Sequence, residues 1–465
     1  MLTADARICP PQLSRATPRE PNRIEWSNAG DLLYFTLKPT NSMITLRHAK
    51  RMADRLGPGL ITGAADDDPS GLATYSQAGA QFGAGLLWTL VFTTPLMIGI
   101  QMVSARIGWM TGQGLAANIC RVLPRWLAIS LVALLVFANT LNIAADIAAM
   151  GEALQLVVGG PEHGHAVLFG VLCAVLPIWL SYESMVSVLK WLTLALLAYV
   201  GVVFMLHIDW ERVLVKTLVP QLQTGSAYWM MIVAVLGTTI SPYLFFWQAA
   251  QEAEQRQRIA DAYDIAHHSR FVREHLSRIK LDTIVGMVFS NVIAFCVMLA
   301  TAITLNQHGI TDIETTKQAA EALRPIAGEF AFALFALGII GTGMLAVPVL
   351  AGSAAYAVAD VFQWRSGLDH TLAEAKGFYG VLIAATAIGT LIDFTPLDPI
   401  KALVWSAVVN GVIAVPIMAV MMVLGNNRMI LGDYTLTRRH RWLGWFATMV
   451  MFTAVVAMIA SAVLA

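Results

Sequence analysis

The 465-residue chain is 57% hydrophobic and only 13% charged, and its mean hydropathy is +0.65. Because soluble proteins carry about twice that charged fraction, a globule of this composition could not cover its surface with polar groups. Thirty basic and thirty acidic residues give a net charge of zero, which excludes the basic surface of a nucleic-acid-binding protein. The composition therefore predicts an integral membrane protein.

Apolar runs long enough to cross a bilayer recur along the chain. A hydrocarbon core of about 30 Å needs about 20 apolar residues per helix. Runs of that kind, separated by charged or turn residues, lie near 56–82, 84–105, 126–150, 166–182, 185–206, 227–250, 281–305, 327–352, 377–393, 400–424 and 442–464. The sequence therefore predicts an all-α polytopic membrane protein with about eleven transmembrane helices.

The ends of the chain and its basic residues indicate how it is organised. Segment 1–42 mixes Pro, Arg, Glu, Asn and Asp without an apolar period, which is typical of a disordered extension. We expect five spans in 43–210, five in 211–425, and a cytoplasmic connector with the last span in 426–465. Segment 151–166 has no Lys or Arg, whereas alternate connections are rich in them. This bias predicts a cytoplasmic N-terminus and an external C-terminus in the inner (plasma) membrane.

Two of the predicted spans are interrupted at a proline. The first contains Asp66-Asp67-Asp68-Pro69, and the sixth contains Thr238-Thr239-Ile240-Ser241-Pro242. The two breaks are five spans apart, so each opens one half of a five-plus-five arrangement, and an odd number of spans inverts the halves. Interrupted helices at corresponding positions of two inverted halves indicate the midplane substrate site of a transporter.

The two breaks offer oxygen atoms to a cation. Since one charge at the centre of a bilayer costs about 3 kcal/mol, consecutive aspartates require water or a cation beside them. For Asp66 a solvated loop end is an equally good interpretation. Hard cations prefer carboxylate, carbonyl and hydroxyl ligands. The candidate ligands are Asp68, Asp67, the backbone carbonyls of Ala65 and Thr238, and the Ser241 hydroxyl.

The sequence around the first break resembles a known family. Gly57-Pro58-Gly59, separated by eight residues from Asp68-Pro69, is similar to the first-helix signature of the Nramp divalent-metal transporters, which ends Asp-Pro-Gly-Asn. The resemblance runs from about residue 50 to 440 and includes segments 331–338 and 399–403. It implies a LeuT-type inverted repeat of five plus five helices with one extra helix, helices 1 and 6 broken, and transport by alternating access, not enzymatic activity.

The chain departs from this family at the metal site. Asp68 is kept, but Gly71 replaces the family's Asn, Ser241 its Met, Tyr243 its His and Thr238 its Ala. Without the thioether the preference for soft transition metals is lost, and the smaller side chains leave room for a hydrated ion. Mg²⁺ dehydrates reluctantly, so the resemblance is closest to the Nramp-related magnesium transporters. The site that it implies comprises Asp68, Asp67, Ala65, Gly71, Thr238, Ser241, Tyr243 and Asn410.

The chain also keeps fewer of the family's residues for proton coupling. Asp146 matches the Asp of the family's third helix and is a candidate relay for protons or ions, but Ala149 stands where the family has Glu. Tyr243 carries a phenol, which holds its proton too tightly at neutral pH to act as a relay. We therefore expect uncoupled transport of Mg²⁺, and also of Mn²⁺, driven by the ion gradient and the membrane potential.

Other functions remain as alternatives at this point. A proton-coupled Mn²⁺ or Fe²⁺ importer and a small-solute carrier share the architecture, and a channel would also conduct without coupling. An intramembrane aspartyl protease would need a Gly-x-Gly-Asp helix, which the chain lacks. The four cysteines have no ligand-like spacing, so we expect no cofactor. The expected partners are the transported divalent ion and the lipid bilayer, and we expect a monomer.

Overall fold

The computed structural model describes residues 62–63, 65–179, 194–260, 269–313, 315–395 and 398–464. The predicted extension 1–42 and the Gly57-Pro58-Gly59 motif lie outside the described residues. Within the described residues every regular element is an α-helix or a short 3₁₀ helix, which confirms the all-α prediction.

The longer helices fall on the predicted spans. In chain order they are α1 (Pro69–Phe82), α2 (Leu87–Thr111), α3 (Arg125–Val158), α4 (Glu162–Trp179), α5 (Leu197–Met205), α6 (Ser226–Thr239), α7 (Pro242–Ala260), α8 (Ser269–Thr304), α9 (Ala331–Phe362), α10 (Lys376–Ile392), α11 (Pro399–Asn426) and α12 (Arg438–Leu464). Shorter helices in the connections are Leu115–Ile119, Trp210–Leu218, Thr316–Glu321, Arg324–Ala327 and Arg428–Leu431.

Most of these helices are long and apolar enough to cross a membrane. Among the described residues, eight helical stretches qualify by length and composition, and one of them, Pro69–Thr111, contains both α1 and α2. The 17-residue helix α10 is apolar but shorter, and α5 is the described part of the fifth predicted span. Each predicted span therefore coincides with a helix over all or part of its length.

The first and sixth spans are broken at the prolines. Residues 62–63 and 65–66 are helical, Asp68 is extended, and α1 begins at Pro69 with Asp68 as its N-cap. In the sixth span α6 ends at Thr239 and α7 begins at Pro242. Proline lacks an N–H group, so it fits the first turn of a helix and cannot continue the preceding one.

Helix contacts repeat between the two halves of the chain. Helix α2 packs on α7 and α8 packs on α1, and similarly α3 packs on α4 and α9 packs on α10. In the first pair, the second span contacts the sixth and the seventh contacts the first. Replacing each span by the one five positions away converts one contact into the other, and the same holds for the second pair. Helices α3 and α9 hold the same place in their halves and pack on each other. This pairing is what two inverted five-helix repeats produce.

The extra helix α12 lies at the periphery. It packs on α2, α6 and α11, while its opposite face is a stripe of apolar side chains spaced three or four residues apart. The exposed residues of the stripe are Trp442, Phe446, Met449, Phe452, Val456, Ile459 and Val463. Such a helical stripe on a polytopic protein is a surface for lipid.

Helices α6 and α11 approach each other at glycines. A Cβ atom at Gly237 would lie 2.1 Å from the Ala407 carbonyl oxygen and 2.5 Å from the Gly411 nitrogen. Small residues allow membrane helices to pack backbone against backbone in this way. The contact fixes α6, and with it the break in the sixth span, against α11.

We expect Gly237→Ala to lower the thermal unfolding temperature of the purified protein in detergent, because overpacking a close helix contact costs about 1–3 kcal/mol. The matched control is Gly380→Ala on the exposed face of α10, where a Cβ would meet nothing within 4 Å. The control should be neutral or slightly stabilising, since alanine favours helix. If both variants unfold at the wild-type temperature, α6 and α11 are not packed as closely as described.

Candidate functional site

Asp68 lies in the break of the first span and is held by two helices. Its side chain is buried, at 2% exposure. Oδ1 accepts a hydrogen bond from the Gly71 amide at 2.6 Å, and Oδ2 accepts one from Asn142 Nδ2 on α3 at 2.8 Å. The N-terminus of α1 adds partial positive charge. The carboxylate is therefore fixed in place, and each oxygen keeps a further lone pair for a ligand.

The break in the sixth span meets the first one at Gly71. A Cβ atom at Gly71 would lie 3.1 Å from Thr238 Oγ1 and 3.4 Å from Asp68 Oδ1. The Ser241 hydroxyl lies 2.7 Å from the Thr238 carbonyl oxygen and 3.0 Å from that of Gly237. Because its one proton points to the backbone, the lone pairs of Ser241 Oγ are free to accept from water or to bind a cation.

Tyr243 connects the two breaks. Its hydroxyl donates a hydrogen bond of 2.9 Å to the Ala65 carbonyl oxygen. The carbonyl has a second lone pair, so this bond does not exhaust it. Tyr243 therefore fixes the last residues before the first break, and its proton is committed to the backbone.

Sequence reasoning missed Asn142. Its amide nitrogen faces Asp68, and its Oδ1 lies 2.7 Å from Ser406 Oγ on α11. Ser406 Oγ is also 3.3 Å from Ser70 Oγ, on the first turn of α1. A signal was available, because Asn139, Asn142 and Asp146 repeat at helical spacing within an otherwise apolar span. Asn142 on α3 thus places a side-chain amide beside Asp68, whereas Gly71 has no side chain that could do so.

Two predicted residues are buried nearby without side-chain hydrogen-bond partners. The Asp146 carboxylate on α3 has no side-chain hydrogen-bond partner within the described part of the chain, and the backbone amide of Ser70 and the charge of Asp68 act on it. The side-chain oxygen of Asn410 on α11 is also unpartnered there. The structure therefore brings Asp146 into the electrostatic environment of Asp68, and no described hydrogen bond connects Asn410 to either break.

Asp66 and Asp67 contact a different helix from Asp68. Ser290 Oγ on α8 lies 2.6 Å from Asp66 Oδ2 and 3.1 Å from Asp67 Oδ1. Both aspartates are buried, at 1% and 2% exposure. The three consecutive carboxylates are thus divided between α3 and α8.

The oxygen atoms described at the two breaks are hard donors. They belong to the Asp68 carboxylate, the Ala65 and Thr238 carbonyls and the Ser241 hydroxyl, and they suit Mg²⁺, Ca²⁺ and Mn²⁺ better than softer metals. In the described ranges, no group of three or more His, Cys, Asp or Glu side chains could hold a metal ion. A site with one carboxylate and neutral oxygens binds a hard cation weakly enough to release it, as transport requires.

A family model and curated relatives match most of the chain. A family model described as natural resistance-associated macrophage protein-like matches residues 59–461. The divalent metal cation transporter MntH of Caldanaerobacter subterraneus subsp. tengcongensis is 24% identical over 421 residues, which cover 85% of this chain and 90% of the relative.

Solved structures match over most of the chain. The manganese transporter of Eremococcus coleocola, in complex with an aromatic bis-isothiourea compound, superposes with a TM-score of 0.71 at 16% identity, covering 91% of this chain and 89% of that one. Mhp1, a nucleobase-cation-symport-1 family transporter in a closed conformation, gives 0.51 at 12% identity, covering 88% and 91%. The fold is therefore the LeuT-type inverted repeat with an additional helix.

We expect Asn142→Ala to weaken Mn²⁺ binding by the purified protein about 10–100-fold, the usual effect of removing a group that orients a metal ligand. The matched control is Asn139→Ala on the same helix. Asn139 donates to the Leu350 carbonyl oxygen and to Ser353 Oγ on α9, so its loss should lower the unfolding temperature and leave affinity unchanged. Equal affinities for the Asn142 variant and the wild type would remove Asn142 from the site.

Proposed function

We infer that this chain, which belongs to the Nramp family and is a transporter of divalent metal cations, carries mainly Mg²⁺, partly hydrated and without a coupled proton. It is a transporter and not an enzyme. The observation that supports the magnesium assignment is the set of donors between Asp68 and Ser241, which contains oxygen atoms and no sulfur. Mn²⁺ is the expected second cargo.

The identity of residue 241 argues against a soft metal. A thioether binds soft and borderline metals and discriminates against Mg²⁺, whereas the Ser241 hydroxyl binds hard ions without that discrimination. Its proton is directed at the Thr238 carbonyl oxygen, so an ion, or a water that the ion carries, would meet the lone pairs. On this ground we propose that Ser241 Oγ contacts the ion or one of its waters.

The small side chains favour a hydrated ion. Gly71 and Ser241 are smaller than the Asn and Met of the family pattern, and Gly71 lies where the first break approaches Thr238 of the sixth span. Mg²⁺ is usually held by one or two carboxylates and keeps several waters. In our proposal Asp68 binds the ion or its water shell, and the carbonyls of Ala65 and Thr238 accept from those waters.

The remaining residues of the predicted site act around the ion. In the proposal Tyr243 positions the Ala65 carbonyl, Asn410 contacts the ion through water, and Asp67 adds negative charge. The side chains of Asp68 and Ser241 are no more than 3% exposed, so this conformation is closed around the breaks and the ion exchanges when the helices move apart.

The surroundings of Ala149 support uncoupled transport. A cavity of about 10 Å³ lies beside it, with room for roughly one water, and most of its lining is apolar, including Leu72, Phe335 and Ile339. Ala149 offers no carboxylate where the family pattern has a glutamate, and the Glu152 carboxylate, one turn further along α3, is hydrogen-bonded to Thr316 at the lining of this cavity. A divalent ion that enters a negative interior gains about 4.6 kcal/mol per 100 mV, so uptake needs no proton.

One observation favours a second candidate, the proton-coupled Mn²⁺ or Fe²⁺ importer. Asp146 is a buried carboxylate that interacts electrostatically with Asp68. It stands where the family has the aspartate of its third helix, a candidate relay for protons. We rank this candidate second because Ala149 and Tyr243 interrupt the relay on both sides.

The proposal includes the arrangement in the membrane. The N-terminus faces the cytoplasm and the C-terminus faces outward. Segments 43–210 and 211–425 form the two inverted halves, and the protein is a monomer. Extension 1–42 precedes them, and segment 426–465 adds the last helix.

Reconstituted vesicles test the ion and the coupling together. We expect saturable uptake of Mg²⁺ and Mn²⁺ with no metal-dependent change of internal pH, recorded by a trapped pH dye in the same vesicles. Asp68→Asn should lose this flux, because a neutral amide cannot compensate the charge of the ion. Metal-dependent acidification above the leak of empty vesicles would establish the proton-coupled candidate in place of this one.

A double variant tests whether residues 71 and 241 set ion choice. Gly71→Asn with Ser241→Met restores an amide and a thioether, and we expect excess Mg²⁺ to inhibit uptake of labelled Mn²⁺ less strongly than in the wild type, by about 10-fold. The control pair is Gly380→Asn with Ser130→Met, both at exposed positions of other helices. Equal inhibition of the test pair and the wild type would contradict the assignment.

A further inference from the structure

Asp66 and Asp67 form a second acidic centre beside the proposed cargo site. Their carboxylate oxygens converge on a single hydroxyl, that of Ser290, at 2.6 and 3.1 Å. A hydroxyl has one proton, so it satisfies one of the two carboxylates at a time. The two buried carboxylates are therefore incompletely hydrogen-bonded on the α8 side of the break.

Within the described ranges, no basic side chain forms an ion pair with either carboxylate. In the described part of the chain, the ion pairs with Lys, Arg or His involve other acidic residues. The negative pair thus lacks the partner that buried carboxylates normally have. Asn142 does not reach it, because that side chain is bonded to Asp68 and lies close to Ser406.

Buried polar atoms face the same centre. Asp66 Oδ1 is buried and has no hydrogen-bond partner among the described residues. Tyr75 on α1 is also buried, at 1% exposure, and its hydroxyl interacts with these carboxylates and with the Thr238 side chain. These oxygens, together with Ser290 Oγ, would complete a shell of hard donors.

We propose that Asp66, Asp67 and Ser290 bind a second divalent cation, distinct from the transported ion at Asp68. Two carboxylates match a double positive charge, and oxygen ligands select a hard ion. The Tyr75 hydroxyl is a candidate for a further ligand or for a bond to bound water. The site goes beyond the proposed function, and it does not depend on which ion the protein transports.

The position of this site connects ion binding to conformation. Gly63, in the first half of the broken span, packs directly on α8, since a Cβ there would lie 2.4 Å from the Gly286 carbonyl carbon. The second ion therefore connects the same two elements, the first half of the broken span and α8, a few residues beyond Gly63 in the chain. When occupied, it holds the first half of the broken span against α8.

Counting bound ions tests the proposal. Wild-type protein in nanodiscs is dialysed against Mn²⁺, and bound Mn²⁺ is measured by electron paramagnetic resonance. We expect two ions per wild-type protein, one in Asp68→Asn and one in the double variant Asp66→Asn with Asp67→Asn. The control is Asp360→Asn on α9, a carboxylate that accepts from the Ala117 amide away from the breaks, and it should retain two ions.

Ser290→Ala keeps the test valid if the aspartate variants do not fold. It should weaken one of the two binding classes about 10–100-fold and leave the other unchanged, whereas Ser290→Thr should restore the wild-type titration. A single ion in the wild type, or two ions in the double aspartate variant, would overturn the second site. Loss of all binding in both aspartate variants would also overturn it, because one ion would then use all three carboxylates. Failure of transport, by contrast, would leave this count unchanged.

Discussion

The structure depends on how buried carboxylates are accommodated at the point where the helix of the first membrane span is interrupted. Asp68 can remain there because it caps α1 and accepts from the Asn142 amide. The same break frees the Ala65 carbonyl, which Tyr243 fixes. Since irregular backbone is tolerated at membrane depth only when it is buried in protein or faces a cavity, the helices around the break must supply these partners. The packing of α1, α3, α6, α8 and α11 follows from that requirement.

The chemistry of the proposed cargo site follows from the same constraint. Asp68 is the one family ligand that is kept, and the other donors offered to an ion are neutral oxygens. An ion that holds its water shell strongly can keep most of that shell at such a site. A soft metal, by contrast, finds no sulfur ligand that would select it over hard ions. Dividing the three aspartates between α3 and α8 prevents them from converging on one ion. In our proposals a mobile ion binds at Asp68 and a second one binds at Ser290.

Much of the fold could be predicted from the sequence, because hydrophobic length and proline position are local properties. The breaks at Asp68-Pro69 and Ser241-Pro242 were predicted correctly for that reason. The ends of α3 and α8 were not, since both helices continue into polar residues beyond the apolar runs. Asn142 and Ser290 were missed because they reach their aspartates across 74 and 224 residues of sequence. Only the packing of the helices reveals such contacts, and the functional roles of the predicted site residues stay predictions.

The most direct test of the account is to locate the ion. Crystals soaked in Mn²⁺, as a stand-in for Mg²⁺ that scatters anomalously, would give one peak for each bound ion. The account predicts a peak between Asp68 and Ser241, with water molecules completing its coordination and no sulfur atom among its ligands. A fully dehydrated ion at that place, or occupied Mn²⁺ sites elsewhere with none at Asp68, would contradict it.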